Sequence, residues 1–237
     1  MALTFKQKIG KLLIPSLPVT RENFDRIRLE MNALGVNLRN KFNPFLRNKI
    51  KKIAAADNLL VNIAAGPFGE KGWVNIDLFS HNNISFRYDC RKKLPFRSES
   101  VQCIRAEHVL EHFDINEEVP IFLKEALRVL KKNGVLRIVV PDIQKFINAY
   151  LTNTPQGWKE IGFEIENWTS PVYILNHVFR QDGEHKFGYD FPALEKILLT
   201  AGFSNILQQK FGESTSELLM NDLPNHRPYS LYVEAIK

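Results

Sequence analysis

Cysteine is scarce in this 237-residue sequence, which contains only Cys90 and Cys103. Two thiols without a spacing pattern exclude a disulfide scaffold and a cysteine-based zinc site, and they are typical of a reducing compartment. Long apolar runs are also lacking, since none approaches the roughly 20 residues of a membrane-spanning helix. The apolar run 12–14 ends at Pro15 and is too short for a secretory signal. We therefore expect a cytoplasmic protein.

Acidic residues are scarce in the first part of the chain. Residues 1–52 hold twelve Lys and Arg against three Asp and Glu, a balance of +9, so the remaining residues carry −3 of the total +6. The basic charge belongs to an N-terminal arm, 1–57, which excludes a uniformly basic nucleic-acid-binding surface on the main domain. The length and the 44% apolar content suit one globular α/β domain, 58–237, with this accessory segment.

The arm carries helical patterns. Phe5, Ile9 and Leu12 lie near helical spacing, and a second helix is predicted from the N-cap Thr20 to a stop at Gly35. Three interpretations remain open. We favour a helical arm packed on the domain over a contact of residues 1–18 with an anionic membrane surface, such as the inner membrane, and over a nucleic-acid-binding arm.

Strands and helices alternate between residues 59 and 151. A helix is predicted to begin at a capping box of Asp114 and Glu117 and to end with Lys131 and Lys132 in its last turn. This alternation predicts a mainly parallel, doubly wound α/β sheet. The predicted strands of this part are 59–63, 73–77, 84–89, 101–107 and 136–140.

The C-terminal part is less regular. Residues 152–190 have no clear period, and so long an irregular stretch indicates a functional insertion on the substrate side. A helix capped by Asp190 and stopped by Gly202 follows, and two strands are predicted at 203–211 and 230–236.

Informative residues stand where the predicted strands end. In doubly wound sheets ligands bind at the carboxyl ends of the strands. A glycine there allows close backbone approach, and an acid can hold two ribose hydroxyls, so the set predicts a nucleoside site. Its members are Gly66, Asp77, Asp89, the pair Glu107 and His108, and Asp142.

Four stretches in order resemble a known family. They are VNIAAGPFGEKGWVNIDL, YDCRKKLPF, AEHVLEHF and FLKEALRVLKKNGVLRIVVPD. Together they resemble the class I S-adenosylmethionine (SAM)-dependent methyltransferases, above all the small bacterial subgroup whose first strand and turn usually run LNLGCGP…GWVNID. The resemblance implies a Rossmann-like sheet with an antiparallel C-terminal strand, SAM as the cofactor, and a methyltransferase activity.

The resemblance also implies roles for single residues. Those of the first turn would lie against the methionine part of SAM, and Glu107 and His108 would flank its sulfonium. His108 would be the catalytic base, with His185 from the insertion as a second catalytic candidate. The expected cofactor contacts are Asn62, Ala64, Ala65 and Gly66 for the methionine part, Asp77 and Leu78 for the ribose, and Asp89 and Cys90 for the adenine.

The sequence departs from the family pattern in its first turn. The usual first glycine is Ala64 and the usual acid two residues earlier is Asn62, so SAM binding could be weakened. A degenerate SAM-fold protein that binds or assembles without catalysis is therefore the alternative. In addition, seven residues separate Gly66 from Val74, too few for a crossover helix. We expect the arm, residues 20–56, to cover the sheet face that this shortened first crossover leaves open.

A rival motif is the literal H-x-x-E-H at residues 108–112, the pattern of inverted zinc peptidases. It follows a strand and precedes the next helix signal, so it does not lie within a helix as metal binding would need. We expect no metal, and a zinc hydrolase is only a remote alternative.

The acceptor is expected to be a hydroxyl or a carboxyl of a small molecule or saccharide. Methyltransferases of exocyclic base amines usually carry an Asn/Asp-Pro-Pro-aromatic run after the fourth strand, where this chain has Glu107-His108-Val109-Leu110. A nucleic acid acceptor is therefore not expected. Candidate acceptor contacts in the insertion are aromatic or polar: Trp158, Trp168, Tyr173, Arg180, His185, Lys186, Tyr189 and Asp190.

Overall fold

A seven-stranded sheet forms the centre of the protein. In a computed structural model that describes residues 20–164 and 170–237, the strand order is β3-β2-β1-β4-β5-β7-β6. Strands β1 to β5 are parallel, and β7 runs antiparallel to both β5 and β6. This confirms the predicted sheet. The strands are β1 Leu59–Ile63, β2 Val74–Asp77, β3 Phe86–Arg87, β4 Val101–Glu107, β5 Leu130–Pro141, β6 Asn205–Gln209 and β7 Ser230–Ile236.

Helices accompany the sheet on one face and at its carboxyl edge. Two belong to the arm, one connects β4 to β5, three follow β5, and one precedes β6. They are α1 Arg21–Phe42, α2 Pro44–Ala54, α3 Glu118–Val129, α4 Ile143–Thr152, α5 Pro155–Glu160, α6 Pro171–Arg180 and α7 Phe191–Ala201.

The main apolar core lies on the helix-covered face of the sheet. Val61 and Ile63 of β1 point into it, together with Phe122 of α3 and Leu194 of α7. Ile50 of α2 belongs to the same buried cluster. The second arm helix therefore packs on this face, beside the other core helices.

The opposite face is covered by the long connection between β6 and β7, which corrects our expectation for the arm. Leu219 of this connection is buried against Cys103 and Val135. Asp222 from the same segment pairs with the buried Arg137 of β5. This face carries buried charges, which need polar partners. The connection supplies such partners, whereas the apolar side of an arm helix would not. We call residues 210–229 the cover segment.

Several predicted boundaries shift in the structure. Helix α1 continues through Gly35 to Phe42. The reciprocal partner of Asp114 is Glu118, whose Oε2 accepts from the Asp114 backbone N–H at 2.7 Å. Lys131 and its neighbour 132 open β5, because the helix already ends at Val129. In each case a strand pairing or tertiary contact overrides the local signal.

The insertion is helical. Helices α5 and α6 pack against α4 around the fully buried Trp158, which forms a second small apolar cluster with Phe146 and Ile174. The chain then returns to the sheet, where Tyr189 forms an isolated parallel bridge with Asp142. The insertion thus stands at the carboxyl end of β5.

Helix α1 crosses the carboxyl ends of β2 and β3. The Asn40 amide donates to the carbonyl of Arg87 at 2.8 Å, and the Arg87 guanidinium donates to Asn32 Oδ1 at 2.5 Å. Further along, Glu30 pairs with Arg91 at 2.5 Å. Within the described part of the chain, no helix is long and apolar enough to cross a membrane. The Phe5-to-Leu12 pattern and Trp168 lie outside the described residues.

Candidate active site

The turn after β1 has the strained geometry that a glycine usually relieves. Ala64 and Gly66 both have φ of 51°. Glycine adopts this left-handed conformation freely, whereas alanine pays roughly 1–2 kcal/mol. The backbone N–H of Gly66 donates to Asp77 Oδ2 at 2.8 Å, and that of Phe79 donates to Asp77 Oδ1 at 2.6 Å. The carboxylate of Asp77 therefore ties the first turn to the end of β2.

A cavity of about 180 Å³ opens at the carboxyl ends of β1 and β4. Six residues expected at the cofactor line it together, which means that distant parts of the predicted site converge. The sequence analysis did not assign the six other lining residues to the site. The predicted ones are Asn62, Ala64, Ala65, Gly66, Glu107 and His108, and the others are Pro67, Phe68, Glu70, Arg105, Leu223 and His226.

Arg105 is the most informative of the missed residues. It lies on β4 directly opposite Asn62 of β1 and is only 3% exposed. Its guanidinium pairs with Glu70 and stacks 4.9 Å above the Trp73 ring, yet its Nε and Nη2 atoms have no hydrogen-bond partner among the described residues. Unpaired buried donors are costly, and Nε and Nη2 together have the geometry that binds a carboxylate at two points. An arginine in the middle of a predicted buried strand was the signal that could have revealed it.

These groups fit the methionine half of SAM. The unpaired Nε and Nη2 of Arg105 suit its carboxylate, and beyond the adjoining residues no atom of the described chain lies within 4 Å of where a Cβ on Gly66 would stand. The turn therefore leaves room for a ligand to approach the backbone. The fit concerns charge and space, and the roles of single residues remain predictions.

The expected adenine side is occupied by an ion cluster. Asp89 is buried, and its two oxygens accept from Arg91 Nε at 2.9 Å and Nη2 at 3.1 Å. The same guanidinium reaches Glu30 of α1 and Glu118 of α3. An adenine amino group would compete with Arg91 for the Asp89 carboxylate. Cys90 is also buried, and burial raises the pKa of its thiol.

His108 links the cavity to a polar chain. It ends β4 with φ of 51°, and its Nε2 lies 2.8 Å from the hydroxyl oxygen of Ser230. Its Nδ1 lies 3.1 Å from Glu111 Oε1. The ring also stacks against His226 with centroids 4.0 Å apart, and His226 Nδ1 is 2.9 Å from Glu107 Oε1. An imidazole held on both nitrogens beside a cavity is placed to accept a proton.

Glu111, His112 and His185 form a cluster beside His108. The H-x-x-E-H motif ends in a 3₁₀ turn, Leu110–His112, so its two histidines do not share an α-helical face, as expected. Burial raises the pKa of Glu111, but the adjoining imidazoles of His108 and His112 outweigh it and hold this pKa below its ordinary value. Burial lowers the pKa of His185. The centroid of the His185 ring lies 4.9 Å from that of His112.

Several expected acceptor contacts are not available to an acceptor. Tyr189 is fully buried, and its hydroxyl donates to the Leu110 carbonyl at 3.4 Å. Trp158 is buried in the second apolar cluster, so neither ring can stack on a ligand. Asp190 caps α7 by accepting from the Ala193 N–H, and Lys186 pairs with Glu118 at 2.7 Å. Burial of aromatic rings, capping of a helix and an ion pair explain these four positions without a substrate.

Comparisons with known proteins agree with the fold. Residues 76–138 match a family model described as "Methyltransferase domain". A search of curated proteins finds no relative. Among solved structures, a SAM-dependent methyltransferase from Archaeoglobus fulgidus is 15% identical with a TM-score of 0.44, over 84% of this chain and 98% of that one. A 1,6-didemethyltoxoflavin-N1-methyltransferase from Burkholderia thailandensis, with bound 1,6-didemethyltoxoflavin and S-adenosylhomocysteine, is 11% identical with a TM-score of 0.47, over 93% of this chain and 92% of that one.

These structures are similar to this chain at low identity. The family match runs from the end of β2 into β5, the part of the chain that holds Asp77, Glu107 and His108. The sheet also has the expected antiparallel C-terminal strand. Residues 76–138 thus match a methyltransferase domain, within a Rossmann-like sheet.

Proposed function

We propose that this protein is a SAM-dependent methyltransferase that transfers the methyl group to a hydroxyl or carboxyl oxygen of a small molecule or saccharide, with His108 as the proton acceptor. The observation that carries the proposal is the position of His108, which lines the cofactor cavity and contacts Glu111 and Ser230 through its two ring nitrogens. When bound, SAM supplies an electrophilic methyl group that needs little more than alignment with the acceptor.

The chain's residues bind and orient the cofactor in this proposal. Arg105 holds the carboxylate of the methionine half, and the backbone of the 64–66 turn lies along it. Asp77 keeps that turn against β2 through the Gly66 N–H, and its remaining lone pairs accept from the ribose hydroxyls. Helix α1 crosses the edge above Leu78, whose carbonyl accepts from the Asn32 side-chain amide of α1 at 3.5 Å. The arm helix would then shield the nucleoside from water.

The proton of a hydroxyl acceptor goes to His108. Its Nδ1 faces the carboxylate of Glu111, which favours the tautomer with a proton on Nδ1 and a lone pair on Nε2. That lone pair meets the Ser230 hydroxyl at 2.8 Å. Ser230 is only 1% exposed, so it serves as a placeholder donor and not as a nucleophile. An acceptor carboxylate would need no base, and His108 would then only orient it.

The acceptor class rests on chemistry and on what the insertion exposes. Arg180 and Tyr173 remain exposed, and the former suits an acidic group on the acceptor. Since Trp158 is buried, its ring cannot stack on a sugar, and one argument for a saccharide acceptor no longer applies. The buried imidazole–carboxylate pair supports an oxygen acceptor, because an amine acceptor needs no base of this kind once it is neutral.

The location of the protein is a second part of the proposal. We place it in the cytoplasm, with residues 1–18 touching the anionic inner membrane surface through Lys6, Lys8 and Lys11. The support is the +9 balance of residues 1–52. The nucleic-acid arm and the purely structural arm are outcomes of the deletion experiment described in the Discussion.

The test uses labelled SAM with cell extracts and saccharide-linked intermediates, followed by mass spectrometry of each labelled product. The variant is His108→Asn, because asparagine tolerates the positive φ at this position. For a hydroxyl acceptor we expect turnover to fall about 100-fold or more, while calorimetry shows SAM affinity within about threefold, a change below 1 kcal/mol. Full turnover in the variant contradicts the base assignment. A methylated nucleic acid as the only product contradicts the acceptor class, and absence of SAM binding supports the degenerate alternative.

A further inference from the structure

The structure assigns a divalent metal site to Glu111, His112 and His185. One ligand atom from each side chain lies within 4.8 Å of the other two. Two of the residues come from the 3₁₀ turn after β4, and the third comes from the end of the insertion. The backbone N–H groups of Lys186 and Phe187 donate to the Glu111 carbonyl at 2.7 and 3.3 Å, which fixes the insertion against this turn.

Glu111 is the first argument for a cation. Its side chain is 1% exposed, and neither carboxylate oxygen has a hydrogen bond of acceptable angle within the described part of the chain. His108 Nδ1 lies within ion-pair distance of Oε1, but this contact leaves Oε2 without a donor. A buried carboxylate is expensive unless hydrogen bonds or a cation compensate it. A metal ion on Oε2 would provide that compensation.

The two histidines are already oriented as metal ligands. His112 Nδ1 lies 3.1 Å from the carbonyl oxygen of Glu184, and His185 Nδ1 lies 2.5 Å from that of Val178. A carbonyl can only accept, so the proton must stand on Nδ1 in both rings. Each Nε2 then carries a lone pair for a ligand. Metal-binding histidines commonly donate their second ring nitrogen to a backbone carbonyl in this way.

The ligand set indicates the class of metal. Two imidazoles and one carboxylate suit Zn²⁺, Mn²⁺, Co²⁺ or Fe²⁺, whereas Mg²⁺ and Ca²⁺ prefer oxygen ligands throughout. Three protein ligands also leave coordination positions open for water or a substrate. The site is therefore of the catalytic kind, and it differs from the expected absence of metal.

The metal deepens the proposed function and rests on it for its role. His108 lines the cofactor cavity and also contacts Glu111, so it connects the metal site with the cavity that would hold the methyl donor. An acceptor hydroxyl that coordinates the ion loses its proton more readily, and the proton passes to His108 Nε2. The acceptor oxygen then forms a bond to the methyl carbon while the carbon–sulfur bond breaks, and its electron pair stays on the sulfur. The ion thus positions the acceptor.

The test measures metal binding apart from activity. The full chain, prepared without an affinity tag and stripped with a chelator, is titrated with Zn²⁺ by calorimetry and with Co²⁺ by visible absorption, in the absence of SAM. We expect one equivalent of each to bind and Zn²⁺ to raise the Tm. Glu111→Gln, His112→Gln and His185→Gln should each weaken binding about 100-fold or more. His81→Gln, on the loop after β2, is the matched control and should bind like the wild type.

The outcomes separate the two proposals. Circular dichroism and SAM binding show whether each variant is folded. Because three single substitutions are tested, one misfolded variant does not prevent the test. If metal binding is absent, or persists unchanged in all three variants, the metal site is wrong while SAM-dependent O-methylation can stand. If one equivalent binds through these residues but every methylated product carries its label on nitrogen, the metal site stands and the proposed acceptor fails.

Discussion

Arg105 and Arg137 lie directly opposite each other on neighbouring strands β4 and β5, but only one of them has a carboxylate in its fork. Arg137 Nε and Nη2 donate to the two oxygens of Asp222 at 2.7 and 2.6 Å. In the part of the chain that the structure describes, the same two atoms of Arg105 have no partner. Both side chains are buried on the sheet face that the cover segment covers. We therefore expect a ligand to supply the carboxylate for Arg105.

The unpaired fork of Arg105 leads to the first prediction. The variant Arg105→Lys keeps a positive charge that can pair with Glu70, but it cannot contact a carboxylate at two points. SAM should therefore bind about 10- to 100-fold more weakly. Decarboxylated SAM is the control ligand. Calorimetry should show that wild type prefers SAM over this analogue and that the preference shrinks in the variant. An equal loss for both ligands would mean that Arg105 acts only through the fold.

Ala64 leads to the second prediction. Its φ of 51° strains an alanine, so Ala64→Gly should relieve roughly 1–2 kcal/mol, offset by the greater entropy of glycine in the unfolded chain. We expect a net gain of up to about 1 kcal/mol in the free energy of unfolding, and SAM affinity equal to or above wild type. Ala65→Gly is the matched control, since Ala65 is buried without a positive φ and the change should destabilise. Chemical denaturation measures both, and destabilisation by Ala64→Gly would contradict the strain argument.

Glu234 of β7 leads to a prediction about how stability depends on pH. Its carboxylate is buried and accepts a hydrogen bond from Arg137 Nη1 at 2.9 Å. Burial raises its pKa, but hydrogen bonds from Ser214 and Thr215 outweigh this and hold the pKa below its ordinary value. The ionised carboxylate therefore stabilises the native state above the ordinary carboxyl pKa, and this contribution is lost as the pH falls through the lowered value.

The matching experiment compares Glu234→Gln with wild type by urea unfolding at several pH values. Near neutral pH the variant should be less stable by about 3 kcal/mol, because Arg137 loses a buried partner. The difference should shrink below about pH 4, because Glu234 takes up a proton in the unfolded chain at a higher pH than in the native state. Glu217→Gln, at an exposed position of the cover segment, should change little at any pH. A constant difference across the pH range would show that charge is not what Glu234 contributes.

The arm gives the last prediction. Deleting residues 1–18 should leave a folded domain that binds SAM, because the described contacts of the arm with the sheet begin in α1. The truncated protein should no longer sediment with acidic vesicles at low salt, as each well-placed basic residue contributes about 1 kcal/mol. A variant with Lys6, Lys8 and Lys11 changed to Gln keeps the length and should lose the same binding. If the deletion unfolds the domain, or if wild type ignores such vesicles, this division of the arm is wrong.

Much of the sheet follows from local sequence patterns. The apolar run 59–63 and the terminal strand 230–236 are found where they were predicted, since burial on both faces requires continuous apolar residues. The third strand shrinks to Phe86–Arg87, because only these residues pair with β2. The insertion proved helical although it showed no clear period, since contacts with α4 bury Trp158 and order it.

The candidate site, too, could be predicted only in part. Asn62, Ala64, Gly66, Glu107 and His108 meet at one cavity because parallel strands bring their carboxyl ends to the same edge. That convergence is a property of strand order, so it could be predicted from the motifs. No local pattern could predict that His226 contacts Glu107 or that Ser230 contacts His108, since these contacts join residues more than a hundred positions apart.

The sequence by itself determined the α/β class, the positions along the chain of the strands that carry the motifs, and a resemblance to methyltransferases, because apolar periodicity and strand-end chemistry are local properties. Only the tertiary structure decided that the β6–β7 connection covers the polar face, that the fork of Arg105 stays unpaired, and that His185 joins Glu111 and His112. The physical reason is that buried polar groups must find partners wherever the folded chain supplies them. Asp222 is this partner for Arg137, whereas the described part of the chain supplies too few hydrogen-bond partners for Arg105 and Glu111.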